Sequence, residues 1–281
     1  MIAVTLVTCQ QLPEPDPDAA PLSAALDAAG ISHRLAAWDD PTVDWAASPV
    51  TALRSTWNYY RDPEGFRRWL AATAGVTRLL NPEPLIQWNL HKGYLPELAA
   101  AGVPVIPTVS LRRGEVLDLQ ALADAHGWPE IVIKPAISAG SHETHFGPAE
   151  DLRDTAARLM AEVDTLIQPF MPSVNTYGER SLIWIEGQLT HSVLKAPRFA
   201  GQAESVTGPH PIDDRDLAVA TQALAGIPAH LPRPRYARVD LIRDADEQPM
   251  LAELELIEPS LFFDLGGAAA LTRYIEMLTH A

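Results

Sequence analysis

Two segments near the C-terminal end hold the densest set of side chains able to do chemistry: YARVDLIR over 236–243 and MLAELELIE over 250–258. Both alternate polar and apolar residues at the period of two that sends successive side chains to opposite faces of a strand. Asp244 to Pro249 suits the turn between them. As a hairpin, Arg238, Asp240, Glu253 and Glu255 share one face, and Val239, Leu241, Leu254 and Leu256 share the other. Facing carboxylates repel by up to about 1 kcal/mol per pair, so a cation among them would offset the clustering. Hard oxygen donors at this spacing suit Mg²⁺, with Mn²⁺ an alternative ion; Mg²⁺ completes its shell with water and substrate phosphates. The solvated face of an ordinary amphipathic hairpin shows the same pattern. Glu258, followed by Pro259 and Ser260, lies just beyond the strand, where it could add a ligand or face a substrate.

The cations are unevenly chosen. Of 21 basic residues, only Lys92, Lys134 and Lys195 are lysines. Lysine is a compact point charge and arginine a wide planar fork, so each lysine marks a place where the fork does not fit. Lys134 ends an apolar strand and precedes Pro135 and a small-residue loop with Ser138, Gly140 and Ser141. Such a loop can cradle phosphate with free N–H groups; a lysine snorkelling before a plain turn reads equally well. In TLIQPFMP a strand stops at Pro169, and edge groups near Gln168, Phe170 and Met171 could form an adenine slot, or simply pack. Glu179 follows, placed to accept from ribose hydroxyls. Lys195 and Arg198 follow the strand LTHSVL, where two cations could meet a terminal phosphate or form a surface pair. Near the start, Arg54, Thr56, Trp57, Asn58 and Tyr59 follow a strand, at the end where α/β sheets place ligands. Arg54 could pair with a substrate carboxylate and Trp57 and Tyr59 could wall a pocket; packing is the alternative.

Several classes are disfavoured. A net charge of −15 argues against general nucleic-acid binding. No GxGxxG fingerprint and no GKS or GKT is present, so neither dinucleotide binding nor a P-loop is supported. His142 and His145 lack further ligands at zinc spacing. Cys9 is the single cysteine, which fits a packed thiol in a reducing compartment. No apolar run approaches the roughly 18 residues of a membrane span. A soluble cytoplasmic enzyme acting on small molecules is the expectation, as a monomer or a homodimer.

The elements that would position these residues form an α/β pattern. The first part alternates short strands with helices, including one from Asp62 and Pro63 to about Ala74, with Asp62 as cap and Pro63 at the first helical position. That alternation predicts a parallel, Rossmann-like sheet. A helix containing Lys92, the helix LDLQALADAHG, the strand EIVIKPA and a helix over about 149–164 follow. Then come the strands around 165–195, a polar loop from Arg198 to about Asp213, a helix over about 214–225, the hairpin, and a closing helix from about Gly267.

Taken in order, QWNLHKGY with Lys92, GVPVIPT, VIKPAISAGS, QPFM, GERSLIWIEGQLTHSVLKAP and RVDLIRD followed by LAELELIEPS resemble the ATP-grasp superfamily, glutathione-synthetase-like branch. Within it they are similar to the cyclo-ligase that closes the D-cycloserine ring. The resemblance implies an ATP-grasp fold: a Rossmann-like substrate domain over 1–84, a central lobe over 85–167, and a C-terminal lobe with the metal site over 168–281. It implies Lys92 and Lys134 on the ATP phosphates, Gln168, Phe170 and Met171 around adenine, and Glu179 on ribose. Lys195 and Arg238, with Arg198 nearby, would touch the γ-phosphate or an acyl phosphate, and Asp240, Glu253 and Glu255 would hold Mg²⁺. The superfamily commonly has Glu-x-Asn where this chain has Glu253-Leu254-Glu255. The reaction implied is activation of a carboxylate by ATP for attack by an amine of the same or another molecule; a phosphotransferase and a non-catalytic ATP-binding regulator are the rival readings.

Overall fold

The computed structural model describes residues 2–196 and 205–280. Three sheets carry the fold. The first is parallel, ordered β2-β1-β3-β4, from β1 (Val4–Thr8), β2 (His33–Ala37), β3 (Val50–Leu53) and β4 (Arg78–Leu80). Helices α1 (Ala19–Ala28) and α2 (Pro63–Ala74) link its strands. At α2 the Asp62 side chain accepts from the Gly65 N–H at 2.9 Å and Pro63 opens the helix, as the sequence predicts.

Two short helices follow, α3 (Glu83–Asn89) and α4 (Tyr94–Ala100). Lys92 was expected within a helix; it lies in the turn between these two, with its N–H on the Ala136 carbonyl at 2.8 Å. The second sheet, β5-β8-β6-β7, contains β5 (Val109–Leu111), β6 (Ile131–Pro135), β7 (His145–Gly147) and β8 (Thr165–Pro169). It is covered by α5 (Leu119–His126) and α6 (Arg153–Glu162).

The third sheet is antiparallel, β11-β10-β9-β12-β13. Its strands are β9 (Glu179–Ile185), β10 (Gln188–Lys195), β11 (Val206–His210), β12 (Tyr236–Arg243) and β13 (Pro249–Glu255), with helices α7 (Asp214–Ala225) and α8 (Phe263–Thr279). The segment expected as a polar loop thus contains β11, which pairs along β10. The closing helix begins at Phe263, and Gly267 (φ 72°, ψ −179°) breaks its helical geometry. Gly178 stands at the start of β9 with φ +81°, where an added Cβ would lie 2.5 Å from the Lys195 carbonyl. Only glycine lets the two strands that carry Glu179 and Lys195 close there.

The hairpin has the faces the sequence predicts: Val239, Leu241, Leu254 and Leu256 are buried in a core shared with α3, α4 and α7. The helices of 83–100 therefore pack on the third sheet, although the sequence groups them with the central lobe. Strand β13 is an edge whose outer backbone groups are taken by side chains and, at Leu251, by the backbone of Pro104 and Ile106. Asn89 donates to the Leu254 carbonyl (2.7 Å) and accepts from Leu256 N–H (2.9 Å), and Tyr94 Oη accepts from Leu254 N–H (3.0 Å). A sheet edge satisfied in this way is held in place and closed to strand addition. No helix among the described residues is long and apolar enough to cross a membrane.

Candidate active site

A cleft of about 520 Å³ is lined by the second and third sheets and by Trp57, Tyr59 and Tyr60 of the first domain. Of the residues singled out in the sequence, Lys92, Lys134, Ser138, Gly140, Ser141, Gln168, Phe170, Met171, Glu179, Lys195, Arg238, Asp240, Glu253, Glu255, Glu258, Ser260, Trp57 and Tyr59 all line it. Arg198 lies outside the described residues. Arg54, Thr56 and Asn58 do not line it.

Arg54 is 2% exposed and bound by Nη2 to Asp18 Oδ2 at 2.9 Å and to the Pro259 carbonyl at 3.0 Å. Its guanidinium lies over the Tyr274 ring at 5.4 Å. The expectation that Arg54 pairs with a substrate carboxylate is corrected: its charge is already neutralised by a buried partner, and it does not line the cleft. Asp18 also accepts from the N–H groups of Leu261 and Phe263. Together the pair fixes the segment that follows Glu258.

At the floor of the cleft the register sets Arg238 opposite Glu255 and Asp240 opposite Glu253. Arg238 grips Asp240 with Nε and Nη2, both at 2.9 Å, and also contacts Glu255. Lys195 Nζ reaches Asp240 at 3.0 Å and contacts Glu179. Lys92 Nζ reaches Glu253 at 3.0 Å and donates to the Ser138 carbonyl at 2.6 Å. The repulsion anticipated among the hairpin carboxylates is thus offset in the ligand-free chain by its own cations.

The balance is uneven. Burial opposes charge on Asp240, but Arg238 and Lys195 outweigh it and hold the carboxyl well below its usual range. Burial also works against Glu253, and Lys92 and Lys134 overcome it, lowering its pKa. At Glu255 burial wins: the carboxyl is pushed up to about 8 despite Arg238. Its charge is under-compensated and would be stabilised by an added cation. Burial likewise raises Glu179 against the pull of Lys195.

Lys134 has the opposite problem. Burial pushes its pKa down, with Lys92 adding to the effect and Glu253 opposing it. No hydrogen bond or ion pair engages its ammonium among the described residues. A cation so placed, beside a second lysine and the loop of Ser138 and Gly140, suits a polyphosphate.

The adenine expectation needs adjustment in detail. Phe170 N–H is bound to the Glu130 carbonyl at 2.9 Å, and β8 is paired on both sides, so Phe170 does not offer a free edge donor. Gln168 Nε2 donates to Thr108 at 2.8 Å. Phe146, unflagged in the sequence, stacks on Phe170 with ring centroids 4.9 Å apart and is 51% exposed toward the cleft. A large aromatic in the polar run HETHFG was the available signal. His142 stacks on Tyr60 at 4.3 Å, and His145 bonds Glu143 at 3.1 Å. No group of three metal-ligating residues at metal-holding distance occurs among the described residues.

Residues 4–81 match the family model described as the N-terminal domain of D-cycloserine synthetase DcsG. The cycloserine biosynthesis protein DcsG of Streptomyces lavendulae is 35% identical over 283 residues, spanning 94% of this chain and 93% of that protein. The crystal structure of D-cycloserine synthetase DcsG superposes with a TM-score of 0.88 at 33% identity, covering 99% of each chain. The fold extends to D-alanine–D-alanine ligase from Bacillus anthracis, whose ATP complex gives a TM-score of 0.72 at 15% identity over 100% of this chain and 97% of that one. An α/β ATP-grasp architecture, one cleft gathering lysines with an acidic hairpin, and this likeness over nearly the whole length agree: the chain belongs to the D-cycloserine synthetase family and is an ATP-dependent ligase that forms C–N bonds.

Proposed function

We propose that the enzyme closes a ring of the cycloserine type, joining the carboxyl group of its substrate to a nitrogen borne by the same molecule. In the first step a carboxylate oxygen bonds to the γ-phosphorus of ATP while the bond to the β-bridging oxygen breaks and ADP leaves. In the second the nitrogen attacks the acyl carbon, the C–O bond to phosphate breaks, and the nitrogen gives up its proton as inorganic phosphate departs. Neither step needs a protein nucleophile; positioning and charge neutralisation suffice.

The observation that carries this reading is the Lys134 ammonium, which no described residue hydrogen-bonds or ion-pairs, facing the same cleft as Lys92 and the acidic hairpin. In the proposal Lys92 and Lys134 take the ATP phosphates, with Ser138, Gly140 and Ser141 alongside. Gln168, Phe170 and Met171 bound adenine, and Glu179 meets ribose. Lys195 and Arg238 neutralise the transferred phosphoryl group. Hard carboxylate oxygens and the under-compensated Glu255 suit Mg²⁺; Asp240, Glu253 and Glu255, which do not form a ready three-residue set in the chain alone, would have to draw together to hold it, and it would screen the phosphate charge when bound. Trp57, Tyr59, Glu258 and Ser260 wall the substrate side. The cytoplasm is the proposed location, supported by the lone buried Cys9.

The test is substrate-dependent release of both ADP and phosphate, with hydroxylamine present to trap an activated acyl group. A hydroxamate that forms in the wild type and is lost in Glu253→Gln and Glu255→Gln is expected. A stable phosphate ester with no phosphate release would move the chain to the phosphotransferases.

A further inference from the structure

The residue before Lys92 carries a ring that the ligase chemistry leaves unused. His91 lies in the turn between α3 and α4, and its imidazole holds a backbone group on one side and a carboxylate on the other. Nδ1 accepts from the Gly93 N–H at 2.9 Å, and Nε2 meets Asp164 Oδ2 at 3.1 Å. A backbone N–H can only donate, so Nδ1 is the acceptor and the ring proton sits on Nε2, aimed at the carboxylate. Asp164 is itself tied down. Its other carboxylate oxygen accepts from the Arg113 N–H at 2.8 Å, and its carbonyl accepts from the Ala136 N–H at 2.7 Å.

Gly93 leaves the ring its place. Its backbone, at φ −58° and ψ −11°, is open to any residue, yet an added Cβ would lie 2.7 Å from His91 Nδ1 and 3.1 Å from Cε1. What excludes a side chain there is the imidazole and not the chain conformation. The contact with Asp164 also crosses a seam. The turn belongs to α3 and α4, whose Leu85, Tyr94, Leu95 and Leu98 pack in the core beneath the acidic hairpin. Asp164 and Ala136 flank β8 and β6 of the second sheet, the sheet that carries Lys134. Lys92 crosses the same seam: its N–H reaches the Ala136 carbonyl at 2.8 Å, and its Nζ spans from Glu253 to the Ser138 carbonyl.

We infer that His91 is a positioning residue for Lys92: held between Gly93 and Asp164, it fixes the turn against the second sheet and so sets the spacing of the Lys92 and Lys134 ammonium groups that receive the nucleotide phosphates. The inference rests on the phosphate role of Lys92 proposed above and adds the device that places it. Lysine carries its charge on a long flexible stem, so the stem's origin must be fixed if the charge is to be. The Lys92 N–H attaches the turn to the second sheet at one point, about which it could still pivot; the His91 imidazole supplies the second. His91 does not line the cleft itself, so it acts through its neighbour.

Calorimetry with Mg-ATP and with adenosine, which has no phosphate, tests this in two variants. His91→Asn keeps an acceptor for the Gly93 N–H, as in an Asx turn, but is too short to reach Asp164. Gly93→Ala keeps the imidazole and displaces it. Each is expected to weaken Mg-ATP by about twofold to tenfold, the span of one hydrogen bond, and to leave adenosine unchanged. Because His91 acts through Lys92, adding His91→Asn to Lys92→Met should cost nothing beyond Lys92→Met alone. Wild-type affinity for Mg-ATP in either His91→Asn or Gly93→Ala overturns the inference, since the ring then only caps α4. Equal weakening of Mg-ATP and adenosine, or a further loss in the double variant, gives His91 a general structural role and does the same. Wild-type Mg-ATP affinity in Lys92→Met overturns the phosphate reading of Lys92 itself, a result distinct from its neighbour failing to matter.

Discussion

Asp18 and Arg54 are 1% and 2% exposed and 2.9 Å apart, a buried ion pair joining the first domain to the segment after Glu258. Asp18→Asn removes the negative charge and leaves a guanidinium that cannot lose its proton, in a site where burial opposes its charge. Breaking a buried pair from one side costs about 3–5 kcal/mol. At about 2–4 °C per kcal/mol for a chain of this size, the melting temperature should fall by about 6–20 °C. The reverse change differs in kind. Arg54→Met strands a carboxyl whose pKa burial already raises, and Asp18 can relieve that by taking up a proton. A folded-state pKa above the unfolded value means that the native state binds more protons, so Arg54→Met should regain stability as pH falls from about 7.5 toward 5. Asp18→Asn should show no such recovery, and the double variant, with no buried charge, should regain at least half the loss. Thermal unfolding followed by circular dichroism and by tryptophan fluorescence reads all three. A cost below about 1 kcal/mol for Asp18→Asn, or an Arg54→Met deficit that ignores pH, would refute the argument.

Three further outcomes are expected. Lys134→Met should raise the KM for ATP by about tenfold to a hundredfold with the fold intact, since it removes a cation that faces the cleft; steady-state kinetics and melting curves check both halves. Phe146→Ala removes the ring stacked on Phe170, worth about 0.5–1.5 kcal/mol, so nucleotide affinity measured by calorimetry should drop about twofold to tenfold with the fold intact. Glu258, raised to about 7 by burial, holds a proton in the folded state that the unfolded chain releases near its ordinary value. Its contribution to the ligand-free protein should therefore decline as pH rises from about 4.5 to 7, by an amount on the order of 3 kcal/mol. Denaturant titrations of the wild type and Glu258→Gln across that window should show the difference between them shift by that sign.

The sequence by itself determined what depends on local period and type. Alternation of two fixed the faces of the hairpin, so the grouping of Arg238, Asp240, Glu253 and Glu255 opposite a buried leucine and valine face is legible in the sequence alone. Asp62 and Pro63 announced α2 because a cap acts within one turn of its helix. The scarcity of lysines pointed to positions 92, 134 and 195, all of which line the cleft. What only the tertiary structure decided is the partner of each charge. Arg54 follows a strand end as a substrate ligand would, yet its counter-ion lies 36 residues earlier and its carbonyl partner 205 residues later, a relation no local pattern encodes. Lys92 looked helical because nothing in its neighbours shows that Ala136 and Ser138 will take its N–H and ammonium. The edge strand β11 hid in a polar segment because an edge needs only one paired side and little burial. The sequence likewise presents the acidic residues of the hairpin and its extension as a single kind. Only the packed chain, by setting cations in contact with Asp240, Glu253 and Glu255 but, among the described residues, none in ion-pair contact with Glu258, makes them chemically different, because proximity across the fold sets the cost of a buried charge.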